Sequence, residues 1–76
     1  MRDFVQYVIS ALTEHPGDVE ICEVTGEKIS ILELRCHRED LGRVIGKNGS
    51  TIGAVRSLVS VLAARQGRKA VLEVVE

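Results

Sequence analysis

The stretch Leu41-Gly42-Arg43-Val44-Ile45-Gly46-Lys47-Asn48-Gly49-Ser50-Thr51-Ile52 decides how this chain is read. It joins one apolar-periodic segment to another across a turn that begins and ends in glycine. Gly46 and Gly49 let the backbone turn tightly and lie against another molecule with no Cβ in the way. Between them stand one cation, Lys47, and one amide, Asn48. A helix is predicted to start directly afterwards, so its free N–H groups point back toward the turn. A phosphate diester suits that combination of amides and positive charge.

Working outward, the segments on either side alternate between helical and strand periodicity. Phe4, Val5, Val8, Ile9 and Leu12 recur at helical spacing, which predicts an amphipathic helix over about 2–13. His15-Pro16-Gly17-Asp18 ends it with breaker chemistry. Residues 19–25 alternate as a strand, Thr25 to Lys28 reads as a turn, and 29–36 is the strongest strand. Leu32, Leu34 and Cys36 lie on one of its faces, Glu33 and Arg35 on the other. Strands so close in sequence predict an antiparallel hairpin. The acidic stretch before Leu41 suits a helix start, over about 39–45. After the turn, Ile52, Val55, Leu58, Val59, Leu62 and Ala63 predict a long helix over 50–65, with Gly67 as its C-terminal cap. A last strand follows over 69–75. The order is helix, strand, strand, helix, helix, strand. Two helices between the second and third strands form a crossover that makes those strands parallel and, by the usual rule, right-handed. The fold class is therefore α+β: a three-stranded mixed sheet with three helices on one face.

Length bounds the rest. The 76 residues make one domain, 1–76, with a core that supplies only about 3–5 kcal/mol of net stability. A composition of 45% hydrophobic and 28% charged residues is that of a folded domain. No apolar run approaches the ~20 residues of a membrane span. Met1-Arg2-Asp3 followed by Gln6, Ser10 and Glu14 does not read as a secretory leader. Cys22 and Cys36 form no CxxC and are expected as buried free thiols of a cytoplasmic protein.

A net charge of −1 does not suit a general polyanion binder, but the charge is unevenly spread. Residues 1–40 hold four basic and nine acidic side chains, a net of −5, whereas residues 41–76 hold six basic and two acidic, a net of +4. The positive half contains the glycine turn, and local potential steers a phosphate backbone more than net charge does.

A plainer reading makes Gly46–Gly49 only a turn between helices, since Asn48 tolerates left-handed φ. Such a turn has no need of two glycines three apart, or of Arg43 one helical turn before Lys47. A Walker A loop does not fit: Gly42 and Gly46 are separated by three residues, Asn48 follows Lys47, and no strand launches the loop. A dinucleotide fingerprint also needs a preceding strand.

Residues 39–76, and above all Leu41 to Gly49, resemble the KH domain with its helix–GXXG–helix element. The element order is similar to the type II arrangement of that domain, and the whole chain resembles the small bacterial KhpA family of single-domain KH proteins. The resemblance implies that the turn contacts the phosphates of single-stranded RNA and that a neighbouring groove takes about four nucleotides. It further implies RNA-chaperone or post-transcriptional regulatory activity linked to cell elongation and division, with self-association or a larger KhpB-type partner.

Residue by residue, the expected RNA contacts are Arg43, Val44, Ile45, Gly46, Lys47, Asn48, Gly49, Ser50 and Thr51. The amides of Lys47, Asn48 and Gly49 and the helix start at Ser50 would receive phosphate oxygens. Lys47 and Arg43 add charge, Ser50 and Thr51 hydroxyls. Val44, Ile45 and Ile52 would wall the groove or be ordinary core. Arg56 reads as a solvated helix face; Arg65, Arg68 and Lys69 read as partners of the helix C-terminus. Phe4 and Tyr7 are the only Phe, Tyr or Trp side chains, so stacking platforms of such rings on strands are excluded.

Catalysis has little support. His15 reads as surface. Cys36 and His37 are neighbours on a strand and point to opposite faces, which disfavours a nucleophile–base pair and a metal site alike. No cofactor and no small-molecule substrate are expected. The alternative to RNA binding is a protein–protein docking module acting through dimerisation on the long helix, with Glu20, Glu23, Glu27 and Glu33 as the hairpin's solvent face.

Overall fold

The computed structural model describes residues 1–75; Glu76, at the end of the expected domain, lies outside the described residues. The order is α1 (Arg2–Leu12), β1 (Glu20–Thr25), β2 (Ile29–Arg35), α2 (Leu41–Ile45), α3 (Ser50–Arg65) and β3 (Lys69–Val74). Short 3-10 turns at Pro16–Asp18, Arg38–Asp40 and Lys47–Gly49 connect them. The sheet runs β1-β2-β3, antiparallel between β1 and β2 and parallel between β2 and β3. This is the α+β arrangement expected, consistent with a type II KH fold.

Alternation sorts each strand into two faces. Ile21, Leu32, Leu34 and Leu72 face the helices and join Val5 and Ile9 of α1, Val44 of α2, and Ile52, Val55 and Val59 of α3 in one buried cluster. The opposite face carries Glu20, Cys22 and Val24 of β1 beside Arg35, Glu33 and Ile31 of β2. Cys22 is therefore exposed and Cys36 half-buried, so the expectation of two buried thiols is corrected; both are free. Glu23 pairs with Leu32 on the helix side of the sheet and does not share a face with Glu20 and Glu33.

Side chains from helices reach main-chain carbonyls at both edges of the sheet. Arg2 Nε and Gln6 Nε2 of α1 donate to the carbonyls of Ile21 and Val19 at 2.9 and 3.0 Å. Arg56 Nε of α3 donates to the carbonyl of Leu72 at 3.0 Å. An edge strand otherwise presents unpaired main-chain groups to other chains. Arg56 is thus a link between α3 and β3, not a purely solvated side chain.

α3 ends as its sequence indicates. Gly67 has φ 68, its N–H bonds the carbonyl of Ala64 at 3.0 Å, and the N–H of Arg68 bonds that of Ala63 at 2.9 Å. This is the Schellman closure. The Arg68 side chain does not stay at the helix end. Its guanidinium donates to the carbonyls of Glu27, Gly26 and Ile29 and to Ser30 Oγ at 2.9, 2.9, 3.1 and 2.9 Å, pinning the β1–β2 turn. The buried residues of α3 are Ile52, Val55, Val59 and Ala63. Leu58 and Leu62, expected in the core, are 52% and 37% exposed, and with Val61 at 58% they leave an apolar stripe on the outer side of the helix.

Candidate functional site

The 46–49 turn stands between α2 and α3, and its backbone accounts for both glycines. Gly46 has φ 76 and ψ 170, a conformation essentially reserved for glycine. A Cβ there would stand 2.7 Å from Thr51 Cβ and 2.8 Å from Thr51 N. Gly46 is thus required by contact within the chain. Gly49 is different: its φ is 74, and no atom lies within 4 Å of where its Cβ would stand. The open side of the turn is at Gly49. Asn48 takes the left-handed φ of 56 that its side chain tolerates.

The amides divide in the same way. The N–H of Gly49 bonds the carbonyl of Gly46 at 3.1 Å, and that of Ser50 bonds the carbonyl of Lys47. These two amides close the turn and are not free for an anion, which corrects the expectation for Gly49 and Ser50. No main-chain acceptor takes the N–H of Lys47 or Asn48 among the described residues. Lys47, Asn48 and Ser50 are exposed, Thr51 is half-buried, and Lys47 enters no ion pair among the described residues.

Of the apolar candidates, Val44 and Ile52 are core, 0% and 4% exposed, and Val44 supports the turn without facing a ligand. Ile45, 37% exposed, is the one apolar side chain of α2 beside the turn that solvent reaches. Arg43 is exposed but engaged: its guanidinium pairs with Glu14, and its Nε lies 3.6 Å from Asp40 Oδ1. An exposed pair of this kind is worth about 0–1 kcal/mol, so a phosphate can compete for Arg43.

Asp40 is the residue that sequence reasoning missed. Its side chain is 1% exposed and accepts the main-chain N–H groups of Glu14 and His15, each at 3.0 Å. It ties the loop leaving α1 to the start of α2, which carries the turn. Burial works to raise its carboxyl. The two N–H bonds and the charges of His15 and Arg43 outweigh that and hold it below the usual carboxylate range. An acidic residue before a helix also suits the helix dipole, so nothing local separates the two roles. Cys36 nearby is pushed up by burial and by the charge of Asp40, and stays a thiol. His15, expected at the surface, is half-buried and stacks on His37 with ring centroids 4.0 Å apart.

The KhpA/KhpB KH-domain model matches residues 2–74. The chain belongs to that family. Full-length relatives agree. The chain is 39% identical over 75 residues to the RNA-binding protein KhpA of Clostridium perfringens, covering 99% of this chain and 100% of the relative. It is 42% identical over 76 residues to that of Chlamydia caviae, covering 100% and 97%. The protein of the same name from Halalkalibacterium halodurans is 37% identical over 76 residues, with both chains fully covered. No solved structure gives a significant match. Membership puts the chain among non-enzymatic KH proteins. No helix among the described residues is long and apolar enough to cross a membrane.

Proposed function

We propose that this chain is a cytoplasmic RNA-binding protein that holds the phosphates of single-stranded RNA at the 46–49 turn. The observation that carries the reading is the open side of that turn. Lys47 has no ion-pair partner there among the described residues, the amides of Lys47 and Asn48 have no main-chain acceptor, and Gly49 leaves room for a backbone to approach. The full-length relatives carry the name RNA-binding protein KhpA. Ser50 and Thr51 add hydroxyls, Ile45 an apolar contact, and Arg43 a charge released from Glu14. The protein acts as an RNA chaperone or post-transcriptional regulator in cell elongation and division.

One turn with one cation that is unpaired among the described residues binds weakly, and a second grip on the same RNA raises the effective concentration. The exposed stripe of Leu58, Val61 and Leu62 favours a docking role for α3 beside RNA binding. A second copy of the chain or a KhpB-type partner would supply the second grip. The test uses two variants. Lys47→Asp with Asn48→Asp keeps the melting curve and self-association but loses single-stranded RNA. Val61→Glu keeps the turn and loses self-association. RNA binding at wild-type strength in the first variant refutes the assignment of the turn.

A further inference from the structure

We propose that His15, His37 and Glu39 form a site for a divalent transition-metal ion of the zinc or nickel type, which ties the loop leaving α1 to the loop entering α2. The site is invisible along the chain, because Cys36 and His37 diverge and His15 lies in another loop. Folding brings the three together. Glu39 Oε1 lies 3.2 Å from His15 Nε2 and 3.8 Å from His37 Nδ1, and the three ligand atoms lie within 4.8 Å of one another. Two ligands on one tetrahedral zinc ion stand roughly 3.3–3.5 Å apart, given metal–ligand bonds near 2.0–2.2 Å.

His37 Nδ1 accepts the N–H of Glu39 at 3.0 Å, so its lone pair points toward Glu39. The ion takes that lone pair, and the exposed Glu39 N–H turns to water. The imidazoles are stacked with 23° between their planes, and both ligand nitrogens lie at the Glu39 end of the stack. A tetrahedral ion needs the ligand atoms closer than the 4.8 Å that bounds them, which requires one ring to rotate about its Cβ–Cγ bond. The side chains are 39% and 35% exposed, which leaves room for that rotation. Asp40 already holds the two loops together through the N–H groups of Glu14 and His15, so the ion has little backbone to order. Imidazole nitrogens favour zinc, nickel and copper, whereas magnesium and calcium prefer oxygen ligands. Three protein ligands leave a fourth position for water.

The test is a titration of the untagged chain with Zn2+ and with Ni2+, followed by calorimetry and by amide NMR. The expected result is one ion per chain, with shifts confined to residues 13–16 and 36–41 and a raised melting temperature; Mg2+ has none of these effects. His15→Ala, which leaves the His37–Glu39 bond in place, and Glu39→Gln each weaken binding by roughly tenfold or more. The Cys22→Ser, Cys36→Ser chain binds as the wild type does. Absence of saturable binding overturns the proposal. So does wild-type affinity in His15→Ala, or loss of binding in the cysteine variant alone.

Discussion

Thr51 occupies the space beside Gly46 in which a side chain at that position would stand. Gly46→Ala therefore meets Thr51 and must also hold φ 76 and ψ 170, a backbone state that alone costs about 1–3 kcal/mol. Gly49→Ala meets open space and carries only the left-handed penalty of about 1–2 kcal/mol. Urea denaturation should rank the variants wild type, Gly49→Ala, Gly46→Ala in falling stability. RNA affinity should fall more in Gly49→Ala than its stability loss accounts for, since its methyl stands on the open side of the turn.

The two cations beside the turn differ in their partners, and their removal should differ accordingly. Lys47→Ala removes a free charge and should weaken binding of a single-stranded oligonucleotide more than Arg43→Ala, which removes a charge shared with Glu14 and Asp40. Few phosphates are neutralised, so the slope of log K against log salt should be shallow, about −0.7 for each phosphate contacted and near −1 to −2 in all. A slope several times steeper would mean a larger basic surface than the turn.

Asp40 makes stability depend on acid. Its folded pKa is depressed, so its contribution is fully present above the unfolded value of about 3.9 and is lost as pH falls through that value toward the folded one. In metal-free buffer the wild type should lose stability below about pH 4. Asp40→Asn keeps one good acceptor where two N–H groups need them. It should be less stable at neutral pH and show a flatter acid limb, with faster hydrogen exchange at Glu14 and His15.

Arg68→Ala withdraws donors from three carbonyls and from the buried hydroxyl of Ser30. A loss of about 1.5–3 kcal/mol is expected, typical of hydrogen bonds from a charged group. Exchange should quicken at the β1–β2 turn. Arg68→Lys should not restore the wild-type curve, because an ammonium cannot span the fork.

Local chemistry carried much of this molecule. α3 runs over Ser50–Arg65 as expected because glycines punctuate both ends. The hairpin follows from alternation and a short turn. Two of the misreadings share a cause, a partner far along the chain. Arg68 bonds residues 38 to 42 positions away, and Asp40 bonds residues 25 and 26 positions away. Helical spacing could not say which side of α3 meets the sheet, since apolar residues nearly surround it. Leu58 and Leu62 went to the outer side and Ala63 to the core. At the turn, the local pattern makes both glycines room for a ligand, whereas Gly46 makes room for Thr51.

α2, the turn and α3 together form the crossover from β2 to its parallel neighbour β3. In folding terms this makes the placement of the turn a late event. The β1–β2 hairpin pairs neighbours in sequence, but β2 and β3 meet only after some thirty intervening residues have been looped out, and such non-local pairing is the slow step. A growing chain that has reached Arg65 has both crossover helices, but no strand to receive Arg56 and no Arg68 to pin the hairpin. Its turn already has the local shape, and nothing yet aims it. The last strand to be synthesised is the one that aims the turn made before it.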